Sequence, residues 1–497
     1  MRIEDFPKKV QPFLIPKVGG AMEYRCLSCR QTHSIDTLLY TCPECGGVLL
    51  IHDRKEDNKT RRSGSLWRSI FDYRRLLNRP YLQGIFLYHE LIAPIIPLEN
   101  ILYLGEGHTP LIEANRYLKN LFGLTFYFKN EGQNPSASFK DRGMACALSY
   151  LHYLIKKKGL RRVLAVCAST GDTSASAALY ASYLGETVRS VVLLPQGKVT
   201  PQQLSQPLGS GATVMEIPGV FDDCMKVVEY LSDHFPVALL NSKNAWRILG
   251  QESYAFELAQ ALDYNLDDTV LVVPIGNAGN ITAIISGFLK LFRYRIIDTL
   301  PKIIGVQSHH ANPVYRYYLE PSSERRVFKA VTVKPSVAQA AMIGNPVSMP
   351  RVIELVEQYN QMNQRQKIFV VEVAEQQIMD HMLLANRNGH IACTQGGESF
   401  AGMVKALSEG KINPGERVIL NATAHALKFA GFQEMYFADT FPKEFGIRPK
   451  KRFRNFPIPI PVKKETAPRR VGSGKSPGEY KLFIEQTAGK IADILGM

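Results

Sequence analysis

No apolar run in this 497-residue chain approaches the ~20 residues that a bilayer-spanning helix needs. The first residues, Met1-Arg2-Ile3-Glu4-Asp5-Phe6-Pro7, lack an apolar h-region. Export is therefore not expected, and a cytoplasmic location is. No internal repeat is evident. What remains is ordinary for a globular protein: 45% of residues are apolar, and the length suits about three domains.

Acidic residues are almost missing from one stretch. Ile447 to Lys475 holds ten Lys or Arg against Glu465 alone, which accounts for +9 of the chain's net +15. Pro449, Pro457, Pro459, Pro461, Pro468 and two late glycines make it read as an extended, solvated linker. Aromatic interleaving is slight, which weighs against a nucleic-acid surface. Beyond it, Tyr480, Phe483, Ile484, Thr487, Ala488, Ile491 and Leu495 fall on one helical face. That helix is expected to dock on the body of the protein or on a neighbouring subunit.

Of eight cysteines, Cys146, Cys167, Cys224 and Cys393 are scattered in apolar settings and read as reduced core residues. The other four form two knuckles, Cys26-x-x-Cys29 and Cys42-x-x-Cys45, with twelve residues between. This spacing matches a tetrahedral four-thiolate site. Gly46-Gly47 suits the turn and Val48 to Ile51 a strand, so a zinc ribbon is predicted, with a rubredoxin-like iron as the alternative. Four protein ligands leave no open position, so the metal is structural. Arg25, Arg30 and His33 are too few to make the ribbon a nucleic-acid module.

Chemistry is concentrated in Asn134-Pro-Ser-Ala-Ser-Phe-Lys-Asp-Arg-Gly143. Lys140 stands between small polar residues and a helix start. A lysine held there can have its pKa lowered, as an amine that forms an imine with an aldehyde requires. Further on, Thr269 to Pro274 reads as a buried strand and Ile281 to Ile285 as the opening of an apolar helix. Between them lie Gly276, Asn277, Ala278, Gly279 and Asn280. Strand, glycine loop and helix start form a phosphate cradle. The loop is not G-x-G-x-x-G, so a dinucleotide is a poor fit. Strands at Arg162–Val166, Val188–Leu194, Val237–Leu240, Val270–Val273 and Ile303–Val306 alternate with helices at Ser174–Leu184, Asp222–His234 and Tyr254–Leu262. A parallel sheet covered on both faces follows, with ligands at the carboxyl ends of its strands.

Ser138-Phe-Lys-Asp-Arg-Gly143 resembles the Schiff-base signature of pyridoxal-phosphate enzymes of the tryptophan-synthase-β type. Four more segments are similar to those of the threonine synthases: Gly105 to Leu111 (with His108 where Asn is usual), Ala168 to Ser176, Asn241 to Gln251 and Asn421 to Lys428. The paired cysteine knuckles complete the likeness, which covers about residues 20 to 445. It implies an α/β enzyme of fold type II, with two α/β subdomains, parallel-rich twisted sheets and a small N-terminal zinc ribbon. The expected divisions are a zinc-ribbon-like segment at 20–55, a catalytic domain at 60–445 with a smaller subdomain at about 140–245, and a basic linker with a C-terminal helix at 446–497. A homo-oligomer, in the form of a dimer, is implied as well.

The resemblance also implies residue roles. Lys140 carries pyridoxal 5′-phosphate and moves protons. Gly276 to Asn280 hold the cofactor's phosphate, and Thr423 meets the pyridine nitrogen. Asp172 stands where many relatives have Asn, and other branches of the family Asp, beside the phenolic oxygen; a carboxylate there is repelled unless protonated or turned away. Ser169, Thr170 and Thr173 meet the substrate carboxylate. Asn241, Ser242 and Arg247 bind the substrate's own phosphate, for which a guanidinium fork is suited. His425 is expected in core packing or a turn, with no catalytic role. The implied reaction converts O-phospho-L-homoserine and water to L-threonine and phosphate. The rivals are a sister lyase on the same fold, such as a cysteate synthase or threonine dehydratase, and a non-catalytic zinc-ribbon nucleic-acid-binding protein.

Overall fold

The computed structural model describes residues 1–169, 171–196, 201–219, 221–235, 237–462 and 477–497. Near the N-terminus β1 (Met22–Cys26), β2 (Thr32–Ser34) and β3 (Leu49–Asp53) form an antiparallel sheet in the order β2-β1-β3. The chain then lays down two strands of a larger sheet, β4 (Leu111–Glu113) and β5 (Phe126–Asn130). It leaves them for a smaller sheet of β6 (Val163–Ala168), β7 (Val188–Pro195), β8 (Thr213–Ile217) and β9 (Val237–Leu239). It returns with β10 (Thr269–Pro274), β11 (Lys302–Ser308), β12 (Ile368–Val373) and β13 (Arg417–Ala422).

The larger sheet runs β12-β11-β10-β13-β5-β4 and is parallel except at its β4 edge. The smaller one runs β8-β7-β6-β9 and is parallel throughout. The five strands expected from the sequence are all present. They are divided between two sheets, and the local apolar pattern gives no sign of that division. β8 was not expected: an edge strand exposed at Met215 and Glu216 and half-buried elsewhere carries little apolar signal. β10 is buried along its whole length, as the centre of a doubly covered sheet demands.

Among the helices, α1 (Lys140–Lys158), α2 (Asp172–Tyr183), α3 (Ala245–Ala261) and α4 (Gly279–Arg293) carry the site. α3 begins well before the expected Tyr254. The Asn244 side chain caps it, accepting from the Trp246 N–H at 3.0 Å. The segment from Asn241 to Gln251 is therefore the cap and first turns of a helix, and Arg247 lies in its first turn. Among the described residues no helix is long and apolar enough to cross a membrane.

The basic stretch expected to be a solvated linker is docked over its first third. Phe453 is buried under the guanidinium groups of Arg387 and Arg452. Lys450 pairs with Asp380, and the Arg454 Nε–H donates to the Phe437 carbonyl at 2.7 Å. One aromatic anchor with paired cations outweighs the local tendency of Pro and Lys to stay in water. Residues 463–475 of that stretch lie outside the described residues. The last helix, α5 (Pro477–Leu495), exposes Tyr480, Ile484, Ile491 and Leu495, so its expected docking on the body is not seen.

Candidate active site

Lys140 is the first residue of α1, and the turn before it is held from both sides. The Asp141 carboxylate accepts from the Ser136 N–H and Oγ–H, each at 2.6 Å. Ala137 takes a left-handed backbone (φ +63°). The turn then zips to a distant segment: Phe139 N–H donates to the Thr423 carbonyl at 2.9 Å, and His425 N–H to the Ala137 carbonyl at 3.0 Å. Backbone pairing thus carries Thr423 to the lysine. Burial brings the Lys140 ammonium down to about 8; the charges of Arg247 and Lys428 act in the same direction and Asp172 opposes them.

The glycine loop leaves the carboxyl end of β10. Ala278 turns it with φ +61°, and α4 starts at Gly279, so its first N–H groups have no intrahelical partner. A methyl group on Gly276 would lie 2.8 Å from Ala341 Cα and 2.9 Å from the Ala340 oxygen, so only glycine fits. The Asn280 Nδ2 is buried without a partner. Free donors at a helix start are what a phosphate takes.

One cavity is lined by Lys140, Asp172, Thr423, Gly276 to Asn280, Ser242 and Arg247. Arg247 is buried, with Nη1 donating to the Leu240 carbonyl at 2.9 Å and Nε unpartnered. Among the described residues it has no carboxylate partner, and burial lowers its pKa to about 10. A buried, unpaired guanidinium is costly unless an anion joins it. Thr423 Oγ1 lies 3.6 Å from the Cys393 Sγ.

The other expected residues that are described do not line that cavity. Asn241 spends its amide on Ala168, accepting from the N–H at 3.0 Å and donating to the carbonyl at 2.6 Å, which fixes the loop after β6. Ser169 Oγ accepts from the Gly171 N–H at 3.2 Å. Thr173 is half-buried in the first turn of α2. Thr170 lies outside the described residues. His425 does sit in a turn, its Nδ1 accepting from the Leu427 N–H at 3.1 Å.

Three residues were missed. Gln251, with a buried unpartnered Oε1, and Gln395 line the cavity, and Lys428 reaches Asp172. Gln251 and Lys428 end two of the segments that carry the family likeness, so a signal was present. Gln395 comes from a helix start with no local cue.

The segment from Gly105 to Leu111 serves the scaffold. Arg142 donates twice to Glu131, at 2.7 and 2.8 Å, and once to Glu257, at 2.8 Å. Thr109 Oγ–H donates to Glu131 at 2.7 Å, and the His108 N–H to Glu257 at 2.7 Å. Burial drops the His108 imidazole to about 4, so it is neutral. This closed network anchors α1, and with it Lys140.

The four clustered thiols converge as the spacing required. The sulfurs of Cys26, Cys29, Cys42 and Cys45 all lie within 4.8 Å of one another. Cys26–Cys45 and Cys29–Cys42 are 3.5 and 3.6 Å apart, close to the ~3.8 Å edge of a tetrahedron with zinc–sulfur bonds of about 2.3 Å. His33 Nε2 is 3.3 Å from the Cys42 sulfur. A methyl group on Gly47 would press on the Cys26 sulfur at 2.9 Å. The knuckle is packed tightly around the sulfurs.

A profile of the family described as pyridoxal-phosphate dependent enzyme matches residues 102–424, and the chain belongs to that family. The threonine synthase of Methanocaldococcus jannaschii is 36% identical over 407 residues, which are 82% of this chain and 93% of that one. Within the family, then, the chain belongs with the threonine synthases. Two solved structures share the fold. Threonine synthase from Escherichia coli has a TM-score of 0.62 at 20% identity, covering 85% of this chain and 94% of that one. The pyridoxal-phosphate-bound threonine synthase from Brucella melitensis has a TM-score of 0.60 at 18% identity, covering 82% and 90%.

Proposed function

We propose that the protein converts O-phospho-L-homoserine and water to L-threonine and phosphate. Arg247 carries the choice of substrate. It is a buried guanidinium with a free Nε, in the same cavity as Lys140 but on a different helix from the glycine loop. Two separate anion sites in one cavity suit one phosphate on the cofactor and a second on the substrate.

When bound, pyridoxal phosphate supplies the electron sink for loss of the α-proton and a β-proton. Gly276 to Asn280 would hold its phosphate, Thr423 its pyridine nitrogen, and Lys140 its aldehyde. The unpartnered Asn280 amide and the empty donors of the α4 start fit that group. Lys140 moves the protons at its Nζ, with a pKa already near neutrality. Arg247 and Ser242 orient the substrate's phosphate and take the negative charge as it leaves. Ser169, Thr170 and Thr173 are assigned to the substrate carboxylate, and Asn241 acts from behind through Ala168. The cavity walls keep water out until the phosphate has gone.

The same proposal includes one structural zinc on Cys26, Cys29, Cys42 and Cys45, and a homodimer. It divides the chain into the ribbon at 20–55, the catalytic domain at 60–445 and the tail at 446–497. Product analysis on purified protein tests the function. Threonine and phosphate should form from phosphohomoserine. Turnover of phosphoserine, or of threonine itself, without turnover of phosphohomoserine would point to a cysteate synthase or a threonine dehydratase instead. Light scattering measures the oligomer.

A further inference from the structure

Asp172 presents a chemical problem at this site. It lines the cavity with Lys140, and its side chain is 4% exposed. On the cofactor assignment above, a carboxylate there would stand beside the electron-rich phenolic oxygen, at a position where many relatives have a neutral Asn. The structure answers with a cation from another part of the chain. Lys428 Nζ lies 3.2 Å from Asp172 Oδ1. That oxygen makes no hydrogen bond, so the contact is one of charge. The ammonium is fixed by two further acceptors, the Ser136 carbonyl at 2.8 Å and the Gln206 Oε1 at 2.7 Å. Gln206 in turn donates to the same Ser136 carbonyl at 3.2 Å. Lys428 therefore has one position, set by the turn that carries Lys140.

We propose that Lys428 is a positioning residue whose charge cancels that of Asp172, so that a carboxylate can stand where a neutral amide otherwise would. This rests on the cofactor assignment above. Four groups act on Lys140: Arg247 and Lys428 are positive, Asp172 is negative, and burial keeps the Cys167 thiol protonated. With Lys428 in place the 172–428 pair is neutral, as an Asn at 172 is by itself. The pair also joins α2 and the Gln206 helix of the smaller sheet to the body, so a merely mechanical role must be separated from a charge role.

A charge cycle separates them. The variants are Lys428→Met, Lys428→Arg, Asp172→Asn and the double Asp172→Asn/Lys428→Met. Two readouts are cofactor affinity, by titrating apo-protein with pyridoxal phosphate, and the pH midpoint of the visible band of the bound cofactor. Lys428→Met leaves Asp172 uncompensated. Affinity should fall at least about tenfold. The midpoint should rise by about one unit, because an unpaired carboxylate favours the proton on the lysine–cofactor link. Asp172→Asn should lower the midpoint, and Lys428→Arg should leave it near wild type. The double variant should regain wild-type affinity and midpoint, because Asn needs no counter-charge. A double variant as impaired as Lys428→Met would overturn the proposal and make Lys428 a mechanical clasp. Should Lys428→Met not fold, an unmoved midpoint in Asp172→Asn would overturn it equally. Absence of any visible band in the wild-type protein would sink the cofactor assignment itself, a distinct result.

Discussion

The Arg351 guanidinium donates to the backbone oxygen of Leu49, at 2.7 Å from Nη2 and 3.0 Å from Nε. The same side chain donates to the carbonyls of Ser242 and Lys243, each at 3.1 Å. It is fully buried, and burial lowers its pKa to about 10. One side chain thus ties the strand that follows the cysteine knuckles to the loop that presents Ser242 and leads to Arg247. β3 is thereby wired to the Ser242 side of the cavity.

Metal loss should therefore be felt in two ways. Protein purified without chelator should contain one zinc per chain by elemental analysis. Cys42→Ser should lower Tm by about 2 °C, which is what the loss of ~2 kcal/mol produces in a chain of this size. It should also raise KM for phosphohomoserine more than it lowers kcat, because Ser242 is displaced while Lys140 is not. Protein without metal but with normal stability would rule out the zinc site.

Borohydride should fix the cofactor onto Lys140, read by peptide mapping. Lys140→Ala should still bind pyridoxal phosphate, because the glycine loop is an independent anchor. The rate at which apo-protein takes up cofactor should rise with pH through about 8, where the buried ammonium loses its proton. An adduct on another lysine would refute the assignment.

Arg247→Ala should cost at least ~2 kcal/mol in kcat/KM for phosphohomoserine, about thirtyfold. Arg247→Lys should recover only part of this, for an ammonium lacks the planar fork. Cofactor absorbance should not change in either variant. Near-normal turnover in the alanine variant would make Arg247 structural.

Acid stability should depend on the Arg74–Glu90 pair, whose closest approach is 2.8 Å. Burial pushes the Glu90 carboxyl up, but the adjoining guanidinium wins and holds it down at about 2. A carboxyl lowered in this way contributes stability that is present above its unfolded value of about 4.3 and lost as pH falls toward 2. The contribution is roughly 3 kcal/mol. Glu90→Gln should lose it at neutral pH and flatten the denaturant midpoint between pH 5 and about 2, as urea titrations at each pH would measure.

Much of the site was legible because its parts are local. A loop of the kind proposed for the phosphate needs its glycines at fixed offsets, and Gly276 to Asn280 supply them within one strand–helix turn. A four-thiolate site needs its knuckles at fixed spacing, and Cys26 to Cys45 supply it. Asn241 was legible as part of a segment but not in its geometry: an amide carries no mark that it will be spent on Ala168. Gln395 was illegible, since its position depends on packing between elements far apart in sequence. The docked part of the basic tail was misjudged for a related reason. Composition reports average solvation, while the single buried ring of Phe453 decides the location.

The sequence by itself pointed to the chemistry: a lysine at a helix start, a glycine loop between strand and helix, a cluster of four thiols and a family. These reside in short segments whose backbone geometry is set by neighbours in the chain. Only the tertiary structure decided which charges face one another. Thr423 reaches Lys140 through backbone pairing with the turn at Ala137 to Phe139, Arg351 joins the ribbon to Ser242, and Lys428 neutralises Asp172. Electrostatic interaction falls with distance and grows as water is excluded. Both quantities are properties of the folded packing, so the partner of a buried charge is fixed only when the chain has closed around it.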